Sequence, residues 1–276
     1  MAALSGIGVV SIAVNLPGPV ATGILRDMGA TVVKIEPPTG DPLSALAPEW
    51  YGSLCAGMEV VRLDLKTSEG RVRLDDFLAR ADILITSSRP ASLERLGLSW
   101  RDLHHSHPRL CHVAIVGYAP PKEGLAGHDV NYQAQAGLVT PPNLPRALIA
   151  DLGGAQRAVI ATLELLFARA NNGEGGYQQI ALADCAAFFA EPFRHGLTAP
   201  TGPLGGTLGA YNIYRTSGGW VSVGALESHL RGALARELRV DVGDRSALAH
   251  ALLTKSAAQW EQWAETRGLP LAAVRK

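Results

Sequence analysis

The feature that most constrains the fold is a strand–helix–strand unit near the start of the chain. A short β-branched run over Gly8–Ala13 predicts a buried strand, and a proline-rich turn leads into a helix from about Pro19 to Met28. Gly29 ends that helix, and Thr31–Glu36 is predicted to be a second strand. Two strands joined by a helix in so short a stretch indicate a βαβ unit and therefore a parallel sheet.

The first turn of this unit argues against the common dinucleotide-binding motif. No G-x-G-x-x-G follows the first strand, and the N-L-P-G-P turn contains prolines, which supply no N–H group to a pyrophosphate. We therefore interpret Glu36, at the end of the second strand, as a solvated side chain rather than as a ribose ligand.

Further strands extend the sheet along the chain. The segment Pro37–Gly57 is rich in proline, glycine and serine and is predicted to be a long loop. The fold class is therefore α/β, with a Rossmann-like open parallel sheet in a large domain over residues 1–195. Its remaining strands are predicted over Val60–Leu65, Ile83–Thr86, Leu110–Val116 and Gln178–Leu182.

The composition of the chain changes from about Gly196. Glycine is frequent there, and the runs Tyr211–Thr216 and Trp220–Val223 flank the turn S-G-G, which predicts a β-hairpin. Short helical patterns complete the chain. We predict a smaller α+β domain over residues 196–276.

Charge and cysteine content narrow the class of function. Lysine plus arginine and aspartate plus glutamate balance at 25 each, which gives no electrostatic case for nucleic acid as a partner. Three scattered cysteines have no metal-like spacing and are too few for a disulfide framework. No apolar run reaches membrane-spanning length, and the first residues do not read as a secretory signal. We expect a cytoplasmic protein without a membrane partner.

The stretch from Gly127 to Gly154 concentrates the groups that can do chemistry. It reads G-H-D-V-N-Y, then a polar loop, then A-D-L-G-G, so we expect His128 and Asp151 on two loops bordering a short helix. Such a pair can act as a general acid and base, with Asp129 orienting the imidazole, but it can equally be a satisfied loop histidine beside a helix cap. Gly153 and Gly154 are predicted to leave the backbone open to a ligand.

Other titratable groups carry weaker signals. Glu191 and His195 form a rival pair at i, i+4 spacing, which we interpret as a contact along a helix face. A histidine run at His104, His105 and His107 has no carboxylate or cysteine partners in sequence, and we predict no metal site. Arg89 follows the fourth strand, where it would contact a phosphate or carboxylate, or form a surface salt bridge.

Several motifs together resemble the family III CoA-transferase superfamily (CaiB/BaiF type), and within it most closely the α-methylacyl-CoA racemases. They occur in that family's order through nearly the whole chain, and G-H-D-x-N-Y is the most specific. The matching segments are L-P-G-P, V-V-K-I-E-P-P, L-D-L-K at Leu63 to Lys66, R-P at Arg89, G-H-D-V-N-Y at Gly127 to Tyr132, A-D-L-G-G at Ala150 to Gly154, and V-G-A-L-E at Val223 to Glu227.

The resemblance implies an enzyme that acts on an acyl-CoA thioester. His128 and Asp151 would face opposite sides of the substrate's α-carbon, and Glu227 would support the histidine. Coenzyme A would enter as part of the substrate, with no permanently bound cofactor, and the family's interlocked dimers imply a homodimer. The resemblance also implies a CoA site formed by Leu63, Asp64, Leu65, Lys66, Arg89, Gly127, Asp129, Asn131 and Tyr132.

Two alternatives and two departures accompany the resemblance. In a CoA-transferase, Asp151 would form a mixed anhydride with the acyl group, and His128 would have no essential part. A non-catalytic CoA-binding homologue is the second alternative. Pro37 stands where the racemases tend to carry an arginine, so one contact to the CoA phosphates is expected to be missing. Against the family pattern the sequence is also C-terminally shortened after Lys276.

Overall fold

A computed structural model describes residues 2–275, and the chain divides into two compact units between Ala190 and Glu191. This boundary lies slightly ahead of the predicted one at residue 195. No helix of the described residues is long and apolar enough to cross a membrane.

The first unit is a six-stranded sheet in which every neighbouring pair is parallel, in the order β3-β2-β1-β4-β5-β6. The predicted α/β class and Rossmann-like sheet are thus confirmed. The strands are β1 Gly8–Ser11, β2 Thr31–Glu36, β3 Glu59–Arg62, β4 Ile83–Thr86, β5 Cys111–Val116 and β6 Tyr177–Ala181. The helices are α1 Pro17–Asp27, α2 Pro42–Leu46, α3 Pro48–Cys55, α4 Ser68–Leu78, α5 Pro90–Arg95, α6 Trp100–Ser106, α7 Asp129–Ala136, α8 Ile149–Asn172 and α9 Leu182–Phe189.

The two faces of this sheet pack against different helices. Successive strand residues point to opposite faces, so Val9 joins the core formed with α1, α8 and α9, whereas Val10 joins the core formed with α4, α5 and α6. Strand β4 is fully buried at Ile83, Leu84 and Ile85. A parallel sheet covered on both faces explains why the central strands are mostly apolar, whereas the edge strands β3 and β6 carry polar residues.

The second unit contains a three-stranded antiparallel sheet in the order β7-β8-β9, packed around its own apolar core. The predicted hairpin is present as the first two of these strands. Sequence reasoning missed β9, because a three-residue strand carries too little alternation to be recognised. The elements are α10 Glu191–Arg194, β7 Tyr211–Arg215, β8 Trp220–Gly224, α11 Ser228–Leu238, α12 Arg245–Leu252, α13 Ala257–Glu265 and β9 Leu271–Ala273.

The prediction of a long loop over Pro37–Gly57 was wrong, because this segment contains helices α2 and α3. Pro42 and Pro48 open the two helices, where a missing N–H group is no handicap. The Asp41 side chain caps α2 by accepting a hydrogen bond from the backbone N–H of Leu43 at 2.9 Å. Proline therefore marks helix starts here rather than irregular chain.

The interpretation of Glu36 as a solvated residue was also wrong. Its side chain is buried, accepts a hydrogen bond from the Tyr51 hydroxyl on α3, and lies 3.7 Å from the Arg62 guanidinium. The carboxylate is shielded because α3 places Tyr51 against the end of β2.

A buried ion pair fixes the loop that follows β1. The Lys34 ammonium is fully buried and donates to Asp41 Oδ2 at 2.8 Å and to the Ala13 carbonyl at 3.0 Å. Asp41 Oδ1 also accepts the backbone N–H of Asn15 at 3.0 Å, and Asn15 has a left-handed backbone with φ of 65°. Polar groups buried this deeply must be paired, so the loop has little freedom to move.

Candidate active site

A pocket lies at the point where the strand order of the sheet reverses. Strands β1 and β4 are neighbours there, and the loops after their carboxyl ends form two walls of the pocket. Open α/β sheets bind ligands at this position. The Ser87 hydroxyl joins the two loops by accepting the Val14 N–H at 2.9 Å. The pocket measures about 160 Å³, and its lining includes Asn15, Arg89, Glu123, His128, Tyr132 and Asp151.

His128 stands immediately before α7, and its side chain is exposed at the pocket. Its backbone N–H donates to the Asn131 side-chain oxygen at 3.0 Å, which holds the start of the helix. Asn131 thus acts on the backbone of His128. An extended residue at a helix cap presents its side chain outside the helix, so the imidazole is available to a ligand.

Asp151 lies in the first turn of α8, not on a loop as predicted, because that helix begins at Ile149. Burial, and secondarily the negative charge of Asp129, raises the pKa of Asp151 to about 6. A carboxylic acid with such a pKa exchanges its proton readily near neutral pH.

Asp129 connects α7 to α8 from a buried position. One of its oxygens accepts the backbone N–H of Asp151 at 3.0 Å, and the other accepts a hydrogen bond from the Gln133 amide. Gln133 also donates to the Ala147 carbonyl at 2.8 Å, just ahead of α8. Both Asp129 oxygens are engaged in these bonds, so the carboxylate positions Asp151 rather than orienting His128 as the sequence suggested.

Tyr132 supports the G-H-D segment from beneath. It is buried, donates its hydroxyl to the Gly127 carbonyl at 2.8 Å, and packs edge-on against Tyr118 with ring centres 5.1 Å apart. A Cβ at Gly127 would lie 2.7 Å from its ring, and one at Gly117 would lie 2.5 Å from its hydroxyl oxygen. Burial, together with neighbouring groups including Asp151, raises the pKa of Tyr132 to about 12, so it remains a hydrogen-bond donor.

The expectation that Gly153 and Gly154 open the backbone to a ligand was wrong. Both are buried against helix α9. A Cβ at Gly154 would lie 2.2 Å from the Leu182 side chain, and one at Gly153 would lie 2.5 Å from the Phe189 ring. These glycines let two helices approach closely, and they hold α8 in the orientation that presents Asp151 to the pocket.

A second, larger groove adjoins the pocket and shares Val14 with it. It measures about 760 Å³ and follows the carboxyl ends of the strands on the β2 and β3 side. The predicted CoA-site residues Leu63, Asp64, Leu65 and Lys66 line it, as does Pro37. Of the other five predicted residues of the CoA site, Arg89, Gly127 and Tyr132 line the smaller pocket instead, whereas Asp129 and Asn131 line neither cavity.

Sequence reasoning missed three charged residues in these walls. Arg71 on α4 and Arg95 on α5 line the large groove, and Glu123 lines the pocket. Arg71 lies in the first turn of α4, five positions after Lys66, and could have been recognised from the predicted helix start. Glu123 lies between β5 and α7 in a loop without periodicity, so no pattern marked it.

Glu227, Glu191 and His195 belong to the second unit, whereas His107 follows α6 in the first. Glu227 is exposed at the start of α11 in the second unit, and its support of His128 stays a prediction. Glu191 and His195 make an exposed contact at 3.0 Å, and His107 lies 2.8 Å from the Asp75 carboxylate. Over residues 2–275, no three His, Cys, Asp or Glu side chains are grouped so that they could hold a metal ion.

A model of the CoA-transferase family III matches residues 4–276. The chain belongs to this family.

The similar curated proteins include both racemases and transferases. The mouse α-methylacyl-CoA racemase is 30% identical over 260 residues, covering 86% of this chain and 65% of the racemase. The formyl-CoA:oxalate CoA-transferase of Streptomyces avermitilis is 29% identical over 195 residues, covering 65% of this chain and 48% of the transferase. The chain thus spans between about half and two thirds of the length of these relatives.

Solved structures support the fold. A CAIB/BAIF family protein from Brucella suis superposes with a TM-score of 0.83 at 24% identity, covering 99% of this chain and 84% of that one. A hypothetical protein from Mycobacterium tuberculosis gives a TM-score of 0.85, also at 24% identity, with coverage of 99% and 85%. Both units of the chain are therefore folded as in this family.

Replacing Asp151 by asparagine is expected to stabilise the protein at pH 8. Well below its usual pKa near 4, the carboxyl is protonated in the folded and unfolded states alike, and the raised pKa has no effect on stability. Between its usual pKa near 4 and the folded value of about 6, only the unfolded state ionises, so stability falls as the pH rises. Above pH 6 the penalty is complete, and Asp151→Asn should remove about 1–3 kcal/mol of it.

Urea unfolding at pH 4 and pH 8 measures this effect, with exposed Asp76→Asn on α4 as the matched control. A gain in Asp151→Asn that is equal at both pH values would contradict the raised pKa.

Proposed function

We propose that this protein is an acyl-CoA racemase or epimerase that inverts the α-carbon of a 2-methylacyl-CoA by proton transfer through an enolate. The observation that carries the proposal is the presence of His128 and Asp151 in the lining of one small pocket, with the pKa of Asp151 raised to about 6. Acid–base catalysis is most effective when the pKa of the catalytic group lies near the working pH. The kinship with the mouse racemase supports the same reaction.

In this mechanism the Asp151 carboxylate removes the α-proton from one face of the substrate. The electron pair of the broken C–H bond moves to the thioester oxygen, which gives an enolate. His128, as an imidazolium, returns a proton to the opposite face, and the roles reverse for the other enantiomer. The enolate requires preorganised donors or cations, and Arg89 supplies a cationic group within the same pocket.

The large groove suits the coenzyme A part of the substrate. Because it shares Val14 with the pocket, a thioester at the junction would leave the acyl group beside His128 and Asp151. Lys66, Arg71 and Arg95 line the groove and can bind the phosphates of coenzyme A. These three cations offer substitutes for the arginine expected at the position of Pro37. Coenzyme A is then part of the substrate rather than a resident cofactor.

CoA transfer is the second candidate, since relatives of similar identity are named as transferases, including formyl-CoA:oxalate CoA-transferase and succinyl-CoA–D-citramalate CoA-transferase. Asp151 would then attack the thioester carbonyl, release the CoA thiolate and form a mixed anhydride. Attack on the thioester by Asp151 would leave His128, which lines the same pocket, without a part in the reaction. Proton transfer uses both protonation states of Asp151, so we favour racemisation.

We also propose that the chain functions as a homodimer in the cytoplasm. Helices α8 and α9 expose large apolar side chains, among them Phe167 at 75% and Phe188 at 72%, and Phe188 lines an apolar groove of about 550 Å³. A patch of this kind suits a second copy of the chain. All three cysteines are free and buried, as is usual in a reducing compartment. Sedimentation equilibrium that gave the mass of one chain would rule out the dimer.

The reaction is tested by incubating the protein with one enantiomer of a 2-methylacyl-CoA in deuterium oxide. We expect deuterium at the α-carbon and formation of the other enantiomer, because the proton removed is replaced from solvent. Asp151→Asn should slow both by about 10²–10⁴-fold, the usual loss when a general acid or base is removed. NMR and chiral chromatography measure the two outcomes, with Asp76→Asn as the control.

The same samples discriminate the alternatives. Transfer of CoA to an added free acid, retained in His128→Ala and without α-exchange, would establish the transferase instead. The absence of both exchange and transfer, with CoA still bound, would favour the non-catalytic homologue.

The groove is tested through binding of coenzyme A itself. Arg71→Ala is expected to weaken CoA binding about tenfold, as for the loss of a hydrogen bond to a charged phosphate. Arg73→Ala on the same helix is the matched control, because Arg73 is exposed and absent from the groove lining. Isothermal titration measures the affinities, and equal effects of the two substitutions would refute the assignment of the groove.

A further inference from the structure

Glu123 is a charged residue in the pocket that the proposed proton transfer does not use. Its side chain is half-buried and lines the pocket together with His128 and Asp151. Its Oε2 atom is shielded from solvent and has no hydrogen-bond partner among residues 2–275. The Lys122 side chain next to it is exposed. This oxygen is therefore held at the pocket without a protein donor from the described part of the chain.

A buried carboxylate oxygen without a donor is unfavourable, because it has lost its water and gained nothing in return. An ionised carboxylate only accepts hydrogen bonds. A ligand group that relieves Glu123 must therefore bring an O–H or N–H donor, and a ligand with a second carboxylate would be repelled by it. This requirement restricts the acyl group and not the CoA part, which occupies the separate groove.

The size of the pocket restricts the acyl group as well. At about 160 Å³ it is similar to an engineered protein cavity of about 150 Å³ that holds benzene, a molecule of about six non-hydrogen atoms. A long fatty chain would leave most of its length outside such a space. The lining is also charged, with Arg89, Glu123 and Asp151 on it, and this is a poor environment for an alkyl chain.

We propose that the acyl group is short and carries a hydroxyl close to the α-carbon, and that Glu123 accepts the hydrogen bond from this hydroxyl. Glu123 is then a specificity-determining residue, and the substrate class is a short hydroxyacyl-CoA. This inference rests on the proposed function, since it assumes that the pocket receives the acyl group. Arg89 in the same lining would instead favour a carboxylate, so a dicarboxylic acyl-CoA is the opposing probe.

The test compares three thioesters in the α-proton exchange assay: 2-methyl-3-hydroxybutanoyl-CoA, 2-methylbutanoyl-CoA and methylmalonyl-CoA. We expect the wild type to prefer the hydroxylated substrate over the unsubstituted one by at least about tenfold in kcat/KM, since a site built to bind a hydroxyl discriminates strongly against its absence. Methylmalonyl-CoA should be the poorest of the three. Glu123→Met, of similar length but without an acceptor, should bring the preference for the hydroxyl close to one.

Glu123→Gln keeps the shape and one neutral acceptor, so its preference should lie between those of the wild type and Glu123→Met. Exposed Glu174→Gln should retain the wild-type preference. Equal use of the first two substrates by the wild type, or a preference that survives in Glu123→Met, would overturn the inference. A preference for methylmalonyl-CoA would also overturn it and would assign selection to Arg89.

Titration calorimetry with the same three thioesters separates this inference from the proposed function. If no substrate exchanges its α-proton, racemisation fails, but the affinities still report the role of Glu123. Tighter binding of the hydroxylated thioester to the wild type than to Glu123→Met would support the inference, and equal binding to both would refute it.

Discussion

The buried pair of Lys34 and Asp41 fixes the junction between the pocket and the large groove of the first unit. Lys34 belongs to β2, whereas Asp41 caps α2, and together they bind the backbone on either side of Val14. Val14 lies between the pocket and the groove. Removing one partner of such a pair typically costs about 3–5 kcal/mol, because the other charge is left buried and unpaired. The pair thus holds the loop after β1 while leaving the binding surfaces free of its own charges.

The pocket contains a carboxyl group, Asp151, whose ionisation is unfavourable in the folded protein. Both oxygens of Asp129 accept hydrogen bonds, one from the backbone of Asp151 in α8 and one from Gln133 in α7. The negative charge of Asp129 also raises the pKa of Asp151. Burial of Asp151 contributes the larger part. Titratable groups with strongly shifted pKa values are frequent in functional sites. They are retained only where the surrounding structure is stable enough to offset the unfavourable burial. Two contacts stabilise the position of Asp151 and the G-H-D segment. Tyr132 donates a hydrogen bond to the Gly127 carbonyl, and α8 packs closely against α9.

Sequence patterns predicted the parts of the structure that depend on regular burial. The βαβ unit and the sheet were predicted from apolar runs, because strands covered on both faces are mostly apolar. The stretch from Gly127 to Gly154 was recognised because the motifs with His128 and Asp151 are specific. The expected reaction on an acyl-CoA came from the family resemblance and not from the spacing of the residues. The roles of the individual site residues stay predictions.

The wrong predictions concern residue types that have two structural roles, which the sequence alone does not distinguish. Proline opens helices as readily as it interrupts them, which concealed α2 and α3 and with them the burial of Glu36. Glycine serves close helix packing as well as ligand approach, which misled the interpretation of Gly153 and Gly154. Glu123 was invisible because a loop residue becomes part of a pocket only through tertiary structure.

The central claim is that His128 and Asp151 act on opposite faces of one α-carbon. It is tested most directly by α-proton exchange in deuterium oxide with each enantiomer of 2-methylbutanoyl-CoA given separately to His128→Ala. The account predicts that this variant still exchanges the enantiomer whose α-proton faces Asp151, hardly exchanges the other one, and does not interconvert them. Equal exchange of both enantiomers, or racemisation that persists without His128, would contradict it.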